Sequence, residues 1–375
     1  MAILKSDTIS GIGTEGPVLN GGLHFRSKNY LTLPKGTTAE RTATSSGIST
    51  VIGAIRYNTD SNKMECYVNN KWMIVSTSSP NLDGGGRGLV GGGNTPSSTN
   101  IIQFITISTQ GNSQDFGDLT GTRQSGPGAT GNSTRGLFAG GQIFPALSDV
   151  IDFVTFSSTG NAVDFGNLTV ARRNLIGNGN QTRGLFGGGQ TPTKQDVIDL
   201  ITIAQSGNAV DFGNLTSSRK QLGGTASSPT RSLFYGGDTG SLTNVIDFIS
   251  IPTTGNAQDF GDLIEAISEN KGVSSSTRAL MMGGTTPSAV NTIQYVSIAS
   301  TGNSQDFGDL TEQKGNSASA SDCVRGVRMG GSSGGSDHVT MDYVAIATAG
   351  DAVDFGDLAT GQGEGAGCSN AHGGL

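Results

Sequence analysis

Chemistry-bearing residues are scarce in this chain: three cysteines, three histidines, one tryptophan, and charged residues at only 14%. Cys66, Cys323 and Cys368 lie far apart and lack the paired spacing of a zinc site or a disulfide framework, so they read as packing residues. His24, His338 and His372 are equally scattered, with no His-Glu-x-x-His and no Gly-x-Ser-x-Gly elbow anywhere. Gly-rich stretches such as Gly91-Gly92-Gly93 end apolar strands instead of opening helices, which argues against a phosphate cradle. No apolar run approaches the ~18 residues that span a bilayer. The N-terminal Met-Ala-Ile-Leu-Lys-Ser-Asp has no signal-peptide pattern, so a soluble product without membrane insertion is expected. Lys and Arg are dispersed singly in a chain of net charge −7, leaving no basic stripe for nucleic acid. No cofactor and no metal is called for.

Glycine is abundant instead, at 60 of 375 residues, and it follows a period. Asp-Phe-Gly begins at Asp115, Asp164, Asp211, Asp259, Asp306 and Asp354, with spacings of 47 to 49 residues. A second marker, Arg before an apolar stretch and a glycine pair, falls at Arg87, Arg135, Arg183, Arg231, Arg278 and Arg325. Two independent markers with one period define six repeats of about 48 residues.

Within one copy, Arg183-Gly-Leu-Phe-Gly-Gly-Gly, Val197-Ile-Asp-Leu-Ile-Thr-Ile and Ala209-Val-Asp-Phe-Gly-Asn-Leu read as strands, with Ser206-Gly207-Asn208 as a tight turn. The Gly/Ser/Thr-rich stretch 216–230 holds a loop and a fourth short strand. No segment keeps a 3.6-residue period, so the array is all-β, and four strands per ~48 residues is the pattern of a propeller blade. The order Gly187-Gly188, Ile198-Asp199, Phe212, Arg219, with Arg123 and Arg172 in the last slot of earlier copies, resembles the kelch repeat across residues 81–375. It departs from kelch in carrying Phe where strand four has a larger aromatic, and in placing Ile267, Lys314 and Gln362 in the later last slots. The expectation is a six-bladed kelch-like β-propeller at 81–375. Its ring should close when the tail 361–375 adds the innermost strand to the blade of residues 87–120.

Six copies in one chain separate what every copy needs from what varies. The fixed Asp of Asp-Phe-Gly could ligate a hard cation, but the stronger reading is an aspartate tying strand ends through backbone N–H groups. The six Arg markers read as guanidinium plugs between blades. Variation gathers between strands two and three, at 94–100, 142–149, 190–196, 238–244, 285–291 and 332–338. Variable loops on a rigid scaffold are where a binding face is expected, and Ile143, Phe144, Lys194 and His338 are its least generic members.

Residues 1–80 lack the repeat marks. They carry an extended stretch, Leu31 to Arg41, then three short strands, Ala54-Ile-Arg-Tyr-Asn, Lys63-Met-Glu-Cys-Tyr-Val and Lys71-Trp72-Met-Ile-Val. So small a module is expected to depend on neighbours or on oligomerisation, a homotrimer being one candidate. The run Gly53-Ala-Ile-Arg-Tyr-Asn-Thr-Asp through Lys71-Trp-Met-Ile-Val is similar to a module of bacteriophage fibre and other virion proteins, especially those of phages infecting marine cyanobacteria. That resemblance implies a non-enzymatic virion component. Residues 1–80 would join other virion proteins, and the propeller loops would meet a host surface glycan or protein. Two further expectations stand beside it: a purely architectural cement protein, and a polysaccharide-degrading enzyme, since Asp pairs are plentiful.

Overall fold

The computed structural model describes residues 33–41, 54–61, 63–68, 71–74 and 86–375. The chain divides into two compact units, Met1–Ser79 and Pro80–Leu375. In the first, Lys35–Gly36 runs parallel to Ile55–Asn58, which pairs antiparallel with Lys63–Val68 and so to Lys71–Ile74. The segment expected to be extended up to Arg41 instead closes into a single 3-10 turn, Ala39–Arg41. Glu40 turns it, because its carboxylate reaches back to accept the Thr37 N–H at 2.6 Å as in a capping box.

The second unit is all-β. Its main framework is six four-stranded antiparallel sheets. The second to sixth sheets each take their four strands in chain order, with a two-stranded hairpin inserted between the middle strands of the second and the sixth; the third, for example, is Ile176–Gly179, Arg183–Gly187, Val197–Thr202 and Val210–Asn214. The first is composite: the tail strand Ala366–Ser369 pairs with Arg87–Gly91, followed by Thr99–Thr106 and Gln114–Arg123. Each sheet's first strand lies beside the first strand of the next, and Ala366–Ser369 lies beside both Ala318–Ser321 and Gly128–Gly131. Apolar residues from both faces of a sheet are used, which is why the third strands read as near-continuous β-branched runs. The core is accordingly divided into six layers, one between each pair of neighbouring sheets. Leu137, Ile151 and Phe165 of the second sheet pack with Phe186 and Ile201 of the third, and Val90 and Ile105 of the first pack with Val327 and Met341 of the sixth.

The Asp-Phe-Gly triplet is a β-bulge. In the third sheet Ile198 pairs with Gly213 and Asp199 with Asp211, so Phe212 is the extra residue and turns inward to near-complete burial. The glycine is required by close approach. A Cβ on Gly166, whose φ is +148°, would stand 2.3 Å from the Gly207 carbonyl oxygen in the next sheet's turn. That turn docks on the bulged strand: Gly207 N–H donates to Phe165 O at 2.8 Å and Ala209 N–H to Asn167 O at 2.8 Å. The same docking joins the turn of the first sheet to the last strand of the sixth, Gly111 to Phe355 at 2.9 Å. Outer strand edges are thereby partly paired, which limits edge-to-edge association. Among the described residues no helix is long and apolar enough to cross a membrane.

Candidate binding face

The residues fixed in every repeat belong to the framework. Each marker arginine donates to a carbonyl at the end of the next sheet's third strand: Arg87 to Phe156, Arg135 to Ile203, Arg183 to Ile251, Arg231 to Ile298, Arg278 to Ile346 and Arg325 to Ile107. Five of them also lie over an aromatic ring of their own sheet, as Arg135 does over Phe153 at 4.6 Å.

The aspartates of the triplet need a correction. The side chains of Asp115, Asp164, Asp211, Asp259, Asp306 and Asp354 lie exposed, and their carboxylates accept no hydrogen bond. The tie expected of them is made by the neighbouring turn, where Asn161, Asn208, Asn256, Asn303, Asp351 and Asn112 accept the backbone N–H two residues after each buried Phe. A charge on a solvent-facing edge strand has a different use, disfavouring pairing with another chain. Among the described residues no group of three or more His, Cys, Asp or Glu side chains is arranged to hold a metal ion.

Sequence reasoning missed a buried ionic layer. The last-slot arginine of one sheet meets the Ile-Asp aspartate of the next: Arg123 with Asp152, Arg172 with Asp199, Arg219 with Asp247, all fully buried. In each case a threonine also serves the carboxylate, Thr120, Thr169 and Thr216. Where the slot is Gln362, the partner is Gln103, bonded at 2.8 Å, and where it is Ile267, the aspartate position of the next sheet holds Gln294, which accepts the Ile264 N–H at 2.8 Å. Those two glutamines are each bonded by a serine, Ser113 and Ser304, at positions that are alanine in the other four sheets. Both recurring residues were visible in the sequence, but only the contact between different copies pairs them.

The variable segments lie at the same end of the sheets as the links between successive sheets, as the bridges Gln124 to Gln142 and Lys220 to Asp238 establish. Ile143 and Phe144 form the tip of a small hairpin, Gln142–Ile143 with Ala146–Leu147, and Phe144 is 77% exposed. Lys194 is bonded to Asp238 at 3.1 Å, with Lys220 at 3.6 Å from the same carboxylate. Partial burial pushes the Asp238 carboxyl up, but the Gly240 N–H and the two lysines outweigh it and hold it below its usual range. His338 stands 3.5 Å from Glu312. Ile143 and Phe144 therefore share one loop, while Lys194 and His338 sit on two others. Near His338 a cleft of about 400 Å³ opens between the loops of the fifth and sixth sheets, lined by Glu269, Thr285, Pro287, Gln313 and Ser333.

At the centre of this end runs a circlet that no sequence signal announced. Ser125, Asn174, Gln221, Glu269, Asn316 and Glu364 all have φ between +50° and +61°. Each of the last five donates its N–H to the carbonyl of the one before, and Glu364 closes the set by accepting the Ser125 N–H at 2.9 Å. Non-glycine residues in this conformation cost roughly 1–3 kcal/mol each, so the circlet is held by the sheets around it. Further in, the cavity among the first strands has a volume of about 20 Å³, room for about one water molecule and no larger ligand. No protein-family model matches the chain, and no curated protein matches it either.

Proposed function

We propose that the six sheets are the blades of a six-bladed kelch-like β-propeller and that the chain is a non-enzymatic bacteriophage virion protein of fibre, tail or capsid-decoration type. In this reading its variable loop end binds a host surface glycan or protein. The observation that carries the reading is the division of labour among the repeats. Residues that recur are used between sheets, while residues that differ stand at one end, where Phe144 and the cleft beside Gln313 face solvent. A side-by-side order of first strands that leads from the sixth sheet back through Ala366–Ser369 to the second supports the ring. The likeness of 53–75 to phage fibre modules supports the virion setting, with residues 1–80 as the attachment to other virion proteins.

Adsorption of the purified full chain to susceptible cells tests it. Exchanging the six variable segments for Gly/Ser linkers of equal length is expected to abolish adsorption while thermal unfolding stays cooperative. Adsorption that survives the exchange, or no adsorption by the unaltered chain, overturns host binding and leaves the architectural role.

A further inference from the structure

The layer between the fifth and sixth sheets holds charge where its counterparts hold apolar side chains. Lys271 stands on the first strand of the fifth sheet, Lys271–Ser274, and Arg328 on the second strand of the sixth, Arg325–Met329. At the matching places the layer between the third and fourth sheets has Ile176 and Phe234, both in the core. Both cations face into their layer. A Cβ on Gly326, two residues before Arg328, would meet Val273, two residues after Lys271, and a Cβ on Gly283 of the fifth sheet would stand 3.0 Å from Arg328 Nη2. A third cation, Lys314, takes the slot where the first three sheets have arginine, and donates to the Thr340 carbonyl at 3.1 Å. Arg328 and Lys314 are fully buried and Lys271 is 9% exposed.

Donors are left over in this layer. Arg328 gives Nε to Ser317 at 2.8 Å and Nη2 to the Lys314 carbonyl, but its buried Nη1 has no partner among the described residues. Nor does the Lys271 ammonium donate to any of them. Asp342 is buried beside them, with one oxygen taken by Thr311 and the other unpartnered. The other carboxylates whose charge is felt here are engaged at the loop end: Glu269 by Thr285 and Gln221, Glu364 by Asn94 and the Ser125 N–H, Glu312 by Thr340. They lessen the cost of burying three cations without accepting from Lys271 or from Arg328 Nη1. Burial still pushes the Arg328 guanidinium down to about 10, with Asp342 and Glu312 opposing. Water can complete an unpaired N–H but cannot neutralise a buried cation, whereas an incoming anion does both.

The cleft between the loops of these two sheets adjoins the same layer. Gln313 in its wall precedes Lys314, Thr285 follows Gly283 by two residues, and Glu269 precedes Lys271 by two. Its 400 Å³ falls within the range of about 300–1,000 Å³ that small-molecule sites occupy. Thr285, Ser288, Gln313, Ser332 and Ser333 give the wall hydroxyls and an amide, and no aromatic side chain lines it. Such a lining suits a hydroxylated ligand better than an apolar peptide side chain.

We infer that the cleft takes a sugar bearing a carboxylate or sulfate, whose oxyanion is bound by Lys271 and by Arg328 Nη1. Where such a sugar comes from rests on the host-binding reading; the site does not.

Calorimetric titration and melting of the full chain test it, with sodium glucuronate and glucose 6-sulfate as probes and with glucose and sodium sulfate at matched ionic strength as controls. Both charged sugars are expected to bind saturably and raise the melting temperature, and glucose to do neither. Lys271→Ala and Arg328→Met are each expected to weaken binding about tenfold or more. Lys271→Ala removes a buried charge, and methionine already stands at the place of Arg328 in the fifth sheet, as Met281, so cooperative melting is expected of both. Ser333→Trp, in the cleft wall, leaves the buried layer untouched and is expected to exclude the sugars at an unchanged melting temperature. No saturable binding of either charged sugar overturns the inference. So do glucose binding as tightly, sulfate ion alone protecting equally, and affinities that all three variants leave unchanged. A chain that binds glucuronate yet does not adsorb to cells overturns host binding and upholds the site.

Discussion

Arg172 and Asp199 come from adjacent sheets and meet at 3.0 Å with both side chains fully buried. Arg172 also donates to the carbonyls of Gly188 and Phe186, and Asp199 accepts from the Thr169 hydroxyl and N–H. Burial lowers the guanidinium pKa, and the Asp199 charge works against that. A buried pair of this kind adds little over an apolar pair, but removing one partner strands the other charge. Asp199→Ala is therefore expected to cost about 3–5 kcal/mol in urea or thermal unfolding, far more than Asp211→Ala, whose exposed carboxylate accepts no hydrogen bond and whose loss is expected to stay within about 0.5 kcal/mol.

The copies contain their own control. Between the sixth and first sheets the same place is filled by Gln362, Gln103, Ser113 and Ala359 in a neutral network. Installing that set as Arg172→Gln, Asp199→Gln, Ala209→Ser and Thr169→Ala is expected to recover most of the stability that Asp199→Ala loses, because no charge is left buried alone. A double-mutant cycle on Arg172→Gln and Asp199→Gln reads the coupling, expected at roughly 1–3 kcal/mol.

The triplet glycines give a sharper test of how sheets approach one another. Gly166 and Gly160 both have φ near +150°, yet an added Cβ meets the Gly207 backbone at the first and open space at the second. Gly166→Ala is expected to lower stability by more than Gly160→Ala, the excess being on the order of 1–3 kcal/mol, as unfolding midpoints would measure.

These contrasts mark where the sequence was legible. Period, strand count and the turn Ser206-Gly207-Asn208 could be read because they are local, and the pairing of the tail with Arg87–Gly91 followed from counting strands. The role of Asp-Phe-Gly could not, since only a neighbouring sheet explains its glycine and only a bulge explains its Phe. The pairing of Arg172 with Asp199 bridges two copies, so inspection of one repeat conceals it. The circlet through Asn174 and Glu269 has no signature at all, because residues of any polar type can be forced to positive φ when backbone partners on both sides hold them. On the loop face, Phe144 was identifiable as unusual in the sequence, whereas Glu269 and Gln313 of the cleft lie outside the variable segments and looked like framework.

Lys271 breaks the repeat. It occupies a first-strand position that is Gly128, Ile176, Gly223, Ala318 or Ala366 elsewhere, and burial pushes its ammonium down to about 8, with Glu269 and Glu364 opposing and Arg328 reinforcing. The folded state therefore disfavours the charged form. Its destabilising effect is full below pH 8 and vanishes above the ordinary lysine value near 10.5. Lys271→Ala is expected to stabilise the protein at pH 7 by up to roughly 3 kcal/mol, the advantage shrinking as pH rises from 8 to 10.5. Melting temperatures of both forms across that range check it.

His372 carries the opposite end of the pH scale. Its Nε2 donates to Gly131 O at 2.8 Å while its Nδ1 accepts the Gly374 N–H at 3.1 Å, an arrangement that only the neutral ring can make. Burial holds its pKa below the ordinary histidine value near 6.5, the Gly131 carbonyl opposing. As pH falls through 6.5 the unfolded chain takes up a proton before the folded one does, so the stability that His372 contributes is complete above that pH and is lost below it. Protonation also sets an N–H on Nδ1 against the Gly374 N–H, which frees the segment after Ala366–Ser369. His372→Ala is expected to melt lower than the unaltered chain at pH 8, with the gap closing towards pH 5. Carboxylates common to both forms cancel in that difference, so a gap that is constant or widens on acidification would show that the neutral ring is not what fastens the tail.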